Sequence, residues 1–384
     1  MPWKEDSKVK QRHRLVTAML SRKQAIKHLC EEAGVSRQTA YKYLTQFQQL
    51  GRGGLYDQPR ANQREAACVR WKKCVFALRR HYPSWGARKL LYRLKQLHSG
   101  KDWPCERTVQ KWLHLGGYAR RLKRKRAGRG LVPEVLKASA SNALWTVDFK
   151  GWFCTQTGAK VQPLTVRDHY SKYLLTVQPV RSLHEKVIRK RFVRLFQEYG
   201  LPKAILTDQG MPFCGSGPYG LTRLSLWWHR LGIKVQFVNR KAGITNNAHE
   251  QMHQVLQKEV ASLPARSMRE QRKALEKWRQ IYNTIRPHDA IGLRPPHSKY
   301  RPKPKALPQL RSPKYPPSWK TYTVKTQGHI QLNHQIHGIG RAFGGLPIGL
   351  EPISPTSYRI HFGTLILGEL HPHQEPNLRP HRLN

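Results

Sequence analysis

Apolar positions recur at helical spacing in the first third of the chain and alternate from Leu144 onward, so the fold class changes along its length. In the first part, Ser21 stands as the cap of a helix whose apolar positions include Ile26, Leu29, Cys30 and Ala33. Gly34 ends that helix, and Ser36 caps a second one running to Gly51. Two short helices joined through Gly34 and Val35 make a helix-turn-helix pattern, in which the second helix enters the major groove of DNA. Arg37, Gln38, Thr39 and Lys42 then face DNA, while Ala40, Tyr43, Leu44 and Phe47 face the protein; an ordinary helical hairpin is the competing reading. Further on, Ser84 precedes a helix periodic in Leu90, Leu91 and Leu94, and Pro104 opens another through Val109, Trp112 and Leu113. This pair is either a second helix-turn-helix, with Arg107, Thr108 and Lys111 on its groove side, or a packed helical spacer.

From Leu144 the pattern is that of strands. Trp145, Val147 and Phe149 take one face, and Thr146, Asp148 and Lys150 the other. Gly158 marks a turn, Val161–Val166 and Tyr173–Val180 read as strands, and Leu183–Tyr199 reads as an amphipathic helix stopped by Gly200. A buried strand, Ala204–Thr207, a helix near Leu221–Leu231, a strand Val235–Val238 and a helix from Ala248 follow. Three strands and then alternating helix and strand predict a mixed sheet with helices on its faces. The prolines from Pro302 to Pro317 predict a stiff extended linker. Beyond it, the runs Tyr322–Val324, Ile330–Leu332, Tyr358–Phe362 and Leu365–Leu367 predict a small antiparallel barrel or sheet, and the tail from His371 reads as disordered.

Charge adds a partner to this picture. Lys and Arg number 70 against 22 Asp and Glu, a formal net charge of +48 spread along the chain. Such an excess calls for a polyanion, and nucleic acid fits because phosphate neutralisation releases counterions. The run Arg120, Arg121, Lys123, Arg124, Lys125, Arg126 and Arg129 reads as a phosphate-tracking linker or, failing that, a solvated tether. The six cysteines form no paired motif, so free thiols are expected and a zinc site is not. No signal peptide or apolar span is legible, which leads to a cytoplasmic, nucleoid-associated protein with no membrane partner and no small-molecule substrate.

Against this basic background, carboxylates that interrupt apolar patterns stand out. Between Ser141 and Val260 the acids are Asp148, Asp168, Glu185, Glu198, Asp208, Glu250 and Glu259. Asp148 sits in a strand and Asp208 ends another; adjacent strands would bring them together. Like charges that close need a cation between them, and hard oxygen ligands point to Mg²⁺ or Mn²⁺. Glu250 has two readings. With Asn247 as N-cap it is a capping-box glutamate; alternatively it shares a metal- and DNA-facing side with His253, Gln254 and Gln257, opposite Ala248, Met252, Val255 and Leu256. Asp168 reads as a structural acceptor.

The segments Trp145–Gly151, Pro163–Asp168, Leu206–Phe213, Asn247–His253 and Tyr282–His288, behind a helix-turn-helix, resemble the integrase-like transposases of bacterial insertion sequences. These belong to the wider DDE transposase and retroviral integrase superfamily, with an rve-type catalytic core. The resemblance implies a ribonuclease-H-like core in which Asp148, Asp208 and Glu250 bind two metal ions. It also implies double-stranded DNA, both element ends and target, as partner, and a homo-oligomer on DNA. Gln209 and Gln251 depart from the usual pattern, and the stretch from Asp208 to Glu250 is longer than usual, an excess assigned to the loop from Cys214 to Thr222.

The expected architecture is multidomain. A helix-turn-helix domain covers 1–60, a second helical domain 61–119 and a basic linker 120–140. An α/β ribonuclease-H-like core covers 141–300, a proline-rich linker 301–318, an all-β domain 319–370 and a disordered tail 371–384. The expected function is that of a DNA transposase with metal-dependent endonuclease activity. A catalytically silent, transposase-derived DNA-binding regulator is the alternative.

Overall fold

The computed structural model describes residues 8–57, 63–98, 103–118, 138–239, 244–372 and 378–380. The chain forms two compact units, Met1–Trp71 and Lys72–Asn384.

The first unit contains α1 (Lys8–Ser21), α2 (Ile26–Glu32) and α3 (Arg37–Leu50). Ser36 caps α3 as the sequence predicts, its hydroxyl accepting from the Thr39 amide at 3.2 Å. Gly34 supplies the left-handed turn between α2 and α3 at φ +63°. Ser21 does not cap α2. It is the last residue of α1, a helix whose buried face of Leu15, Val16 and Met19 was not foreseen, and α2 starts after Ala25. The unit's core joins Leu15 and Met19 to Leu29, Cys30 and Ala40, so the third helix rests on the first two.

Leading into the second unit, α4 (Gln63–His81) is followed by α5 (Ala87–Leu97) and α6 (Glu106–Leu115). Val75, Trp85, Leu90, Leu94, Val109 and Leu113 pack together, with Ile285 of a later segment against them. Ser84 precedes α5, which starts after Gly86, and the Ser84 hydroxyl donates to Glu259. Glu259 also pairs with Arg286 at 2.8 Å and accepts from the Trp278 indole at 2.6 Å. Each partner satisfies part of a largely buried carboxylate, so this one residue ties the α4–α5 turn to the later helices.

Strand β1 (Leu144–Phe149) is followed by a separate short hairpin of β2 (Phe153–Cys154) and β3 (Lys160–Val161), and then by β4 (Pro163–Asp168) and β5 (Leu174–Pro179), which join β1 in the central sheet. After α7 (Glu185–Tyr199) come β6 (Ala204–Thr207), α8 (Arg223–Arg230) and β7 (Lys234–Phe237), and the helices α9 (Asn247–Leu256) and α10 (Met268–Thr284) close the series. The strand order is β5-β4-β1-β6-β7. The first three strands are antiparallel, whereas β1, β6 and β7 are parallel. It is the mixed sheet expected of an integrase-type catalytic core.

Alternation decides what each face carries. Trp145, Val147, Leu164 and Val166 point into a core with Phe192 and Phe196 of α7 and Leu224 and Trp228 of α8. On the opposite face Leu174 and Val177 meet Met252 and Leu256 of α9 and Leu275, Trp278 and Tyr282 of α10. The edge strand β5 is capped by α10: Asn283 exchanges hydrogen bonds of 2.8 and 2.9 Å with the Leu174 backbone. An otherwise open ladder is thereby covered.

The C-terminal strands are β8 (Lys320–Thr323), β9 (His329–Leu332), β10 (Gln335–Gly338), β11 (Pro347–Ser354), β12 (Ser357–Phe362), β13 (Leu365–Leu370) and β14 (Leu378–Pro380). They form an antiparallel sheet, β14-β13-β12-β11-β8, and a separate β9-β10 hairpin. Two expectations change. Part of the tail expected to be disordered is β14, paired with β13 through Leu370 and Leu378. The proline-rich segment is extended but not free, because Lys303 donates to the Tyr199 carbonyl at 3.0 Å and Leu307 and Leu310 pack on the central core. Gly200 permits this close approach, since a Cβ there would lie 2.1 Å from the Lys303 carbonyl oxygen. The β sheet is likewise docked, its core including Leu221 and Leu226 from the loop and helix after Asp208.

Asn142 fastens the base of the sheet. Its amide donates to the Tyr199 carbonyl at 2.7 Å, and its oxygen accepts from the Trp145 indole at 3.0 Å and the Tyr300 hydroxyl at 2.9 Å. Asn142→Ala leaves several buried groups unpaired and is expected to lower stability by roughly 3–5 kcal/mol. Chemical denaturation measures this; a loss below about 1 kcal/mol contradicts the role given to Asn142.

Candidate active site

The two aspartates are brought together by strand register. In the parallel β1–β6 pair Val147 lies opposite Thr207, so Asp148 and Asp208 follow at matching positions on neighbouring strands. Residues so matched in a parallel pair point to the same face, with the strands ~4.8 Å apart. Asp148 is half-buried and Asp208 exposed. Burial and then the charge of Asp208 push the Asp148 carboxyl up to about 7, against an opposing hydrogen bond from the Phe149 amide, and the Glu250 charge adds a smaller push. The charges of Asp208 and Glu250 thus both bear on Asp148. Gly210 keeps the turn after β6 slim: a Cβ there would sit 3.0 Å from an Asp208 carboxylate oxygen.

Helix α9 starts one residue earlier than expected. Asn246 is the N-cap, makes no side-chain cap bond, and receives the Glu250 amide on its carbonyl at 3.1 Å. Glu250 is thus one position beyond the capping-box place, and its side chain is exposed. The inward face of α9 is His249, Met252 and Leu256, with Ala248 and Val255 only half-buried.

The buried His249 has a specific reason. The α9 side of β1 and β4 carries Thr146 and Thr165, whose hydroxyls need partners once covered. His249 supplies both, with Nδ1 2.8 Å from Thr146 Oγ1 and Nε2 2.7 Å from Thr165 Oγ1. Burial lowers its pKa well below the usual histidine range and keeps the ring neutral. Thr165 also donates to the Asp148 carbonyl at 2.8 Å and meets His253 Nε2 at 2.8 Å. His253 therefore turns inward, away from the face it was expected to share with Gln254 and Gln257, which are exposed. Its Nδ1 faces Asp148 Oδ2 at 3.7 Å. Burial, with help from Lys150 and Arg167, lowers its pKa to about 4.

Asp148, His249 and His253 offer ligand atoms within 4.8 Å of one another. His249 is not free for this role, because both of its nitrogens are engaged by threonines. Asp168 is fully buried and stands apart from the group. It accepts from the Asn142 amide at 2.8 Å and from the Ser171 amide and hydroxyl at 2.8 and 2.6 Å, buttressing the far end of β4. His288 is packed against Tyr282 with its ring centre at 4.6 Å.

Arg37, Gln38 and Lys42 are exposed on α3 and Thr39 is half-buried. Arg107 and Lys111 are exposed on α6, with Thr108 half-buried. Arg120, Arg121, Lys123, Arg124, Lys125 and Arg126 lie outside the described residues. Sequence reasoning missed Thr146, Thr165 and His249 as a connected group. The available signal was polar residues on the β1 and β4 face that a helix must cover.

Two family models match parts of this chain. The model of the integrase core domain family matches residues 231–296, which include Glu250 but neither aspartate. A helix-turn-helix domain model matches residues 11–62. An uncharacterized 31.7 kDa protein of insertion element IS407 from Burkholderia multivorans is 27% identical over 182 residues, 47% of this chain and 63% of that protein. A 39.2 kDa protein of insertion element IS476 from Xanthomonas euvesicatoria is 24% identical over 177 residues, 45% of this chain and 49% of its own. The matches thus span less than two thirds of these relatives. Among solved structures, the HTLV-2 integrase catalytic core domain in complex with magnesium is 16% identical with a TM-score of 0.33, covering 43% of this chain and 100% of its own. A simian T-cell lymphotropic virus intasome chain is 14% identical with a TM-score of 0.36, covering 76% and 97%. Among the described residues, no helix is long and apolar enough to cross a membrane.

The crowded carboxylates have a thermodynamic signature. In chelator-treated protein, folded Asp148 holds its proton to about pH 7, whereas an unfolded aspartate releases it near ~3.9. The folded state therefore binds more protons between these values, and this contribution to stability falls as pH rises from about 4 through about 7. Asp208→Asn removes a neighbouring charge and should flatten the fall. The difference in melting temperature between variant and wild type, followed from pH ~4.5 to ~8, is expected to grow with pH. A constant difference contradicts the coupling.

Proposed function

With an integrase core domain behind a helix-turn-helix domain, in a chain related to insertion-element proteins, we propose that this protein is a DNA transposase. The observation that carries the reading is the β1–β6 register, which sets Asp148 beside Asp208 within reach of the Glu250 charge. Such crowding suits a divalent cation, and the carboxylate oxygens suit Mg²⁺ or Mn²⁺. Asp148, Asp208 and Glu250 would hold two ions. When bound, these supply charge stabilisation to the attacking and leaving oxygens of a phosphodiester.

The chain's own residues do the rest. Helix α3 reads the element end through Arg37 and Gln38, and the basic surface carries the phosphates. At the carboxylate group, water breaks the phosphodiester and frees a 3′ hydroxyl. That hydroxyl attacks a phosphodiester of target DNA, forming the new bond and expelling the target's own 3′ oxygen. No protein side chain is covalently attached at any step. Joining two element ends in one reaction calls for more than one copy of the chain on DNA.

Oligonucleotides from the DNA flanking the gene, incubated with purified protein, Mg²⁺ or Mn²⁺ and a supercoiled plasmid, test the proposal. Joined donor and target are expected with wild type and not with Asp148→Asn or Asp208→Asn, both of which should still bind element ends. Metal-dependent joining by either variant overturns the assignment of these residues. Sequence-specific binding with no cleavage by wild type indicates a DNA-binding regulator instead.

Helix α3 gives a separate expectation. Arg37→Ala and Gln38→Ala should each weaken binding to element ends by about 1–3 kcal/mol. Binding to an unrelated duplex of equal length should change much less. Equal losses on both duplexes, read by titration at fixed salt, contradict base reading by α3.

A further inference from the structure

The hydroxyl of Thr165 fixes the tautomers of two histidines. It has one proton and two lone pairs. Its three polar neighbours are the Asp148 carbonyl at 2.8 Å, His249 Nε2 at 2.7 Å and His253 Nε2 at 2.8 Å. A carbonyl only accepts, so the Thr165 proton goes to Asp148. Both histidines must then donate to Thr165, and each carries its hydrogen on Nε2. For His249 the remaining Nδ1 lone pair faces the Thr146 hydroxyl at 2.8 Å, a much shorter contact than the 3.4 Å from that hydroxyl to the Arg167 carbonyl. For His253 the Nδ1 lone pair faces Asp148 Oδ2 at 3.7 Å, too long for a hydrogen bond.

Once Asp148 is ionised, its Oδ2 and the Nδ1 lone pair of His253 both face the gap between them as donors, an arrangement that a cation in that gap satisfies. Their separation is less than twice the ~2.1 Å ligand distance of a small divalent cation, so one ion is able to touch both. We infer that His253 is a metal ligand of the candidate active site, through Nδ1, adding a nitrogen donor to the carboxylates Asp148, Asp208 and Glu250. His249 is the positioning residue, locking Thr165 and through it the His253 ring. An imidazole donor shifts preference from Mg²⁺ toward Mn²⁺ and later transition metals, relative to an all-oxygen site. This inference rests on the metal-dependent reading of the same carboxylates. It also moves His253 from the DNA-contacting residues to the metal group.

Electron spin echo envelope modulation of Mn²⁺ added to the full chain without DNA reads nitrogen coordination directly. Wild type is expected to show ¹⁴N modulation from a bound imidazole. His253→Ala should lose it while its Mn²⁺ affinity falls at least ~10-fold, comparable with the loss of other ligand-orienting groups. His253→Gln, which keeps a polar side chain beside Thr165, should also lose the modulation, with an unchanged thermal midpoint confirming the fold. Mn²⁺ bound by wild type without ¹⁴N modulation overturns the inference and leaves the carboxylate site standing. Modulation that persists in both variants also overturns it, by placing the nitrogen elsewhere. Absence of Mn²⁺ binding overturns this inference and the metal-dependent function together. Modulation as expected, with no DNA joining by wild type, supports the ligand assignment and counts against the transposase reading alone.

Discussion

The pairing of Val147 with Thr207 is the constraint on which the site depends. A parallel register slipped by one residue would turn Asp208 to the other face of the sheet, away from Asp148. The register is held from the opposite face, where Trp145, Val147 and Ile205 are buried against Phe196, Phe213 and Trp228. A large aromatic core thus sets the position of two carboxylates that repel each other. Repulsion and burial appear together in the raised Asp148 pKa of about 7.

The second constraint is polar. Most sheets facing a helix offer it aliphatic side chains, but here β1 and β4 offer Thr146 and Thr165 next to Asp148. Helix α9 answers with His249 and His253, so its attachment near the carboxylates is a closed hydrogen-bond network, and farther along it is the apolar contact of Met252 and Leu256. Hydrogen bonds fix rotation and tautomer more tightly than apolar packing does. That rigidity holds His253 beside Asp148. Past α9, Glu259 joins Arg286, Trp278 and Ser84, and the loop before α8 gives Leu221 to the C-terminal sheet. The helical segment from α4 to α6 and the C-terminal strands are therefore anchored close to the elements that carry the site, rather than hung on free linkers.

Much of this was legible in the residues. Alternation in Trp145–Phe149 identified β1 and its buried face, the apolar run before Asp208 identified β6, and Gly34, Gly51 and Gly200 marked helix ends that the structure keeps. Less legible were features settled by distant partners. The start of α9 moved by one residue because no side-chain bond fixes its cap. His253 turned inward because the sheet beneath it carries a threonine, which helical periodicity in α9 alone does not reveal. The proline-rich segment read as a spacer, since prolines signal extension but not what Leu307 and Leu310 pack against. Strand β14 lay in a polar tail with no alternation of its own and is ordered by pairing with β13.

The central claim is that Asp148 and Asp208 form one cation site. Anomalous difference density from crystals soaked in Mn²⁺ tests it most directly. The account predicts a peak in contact with a carboxylate oxygen of both aspartates. A Mn²⁺ peak bound elsewhere, with Asp148 and Asp208 making no contact to it, would contradict it.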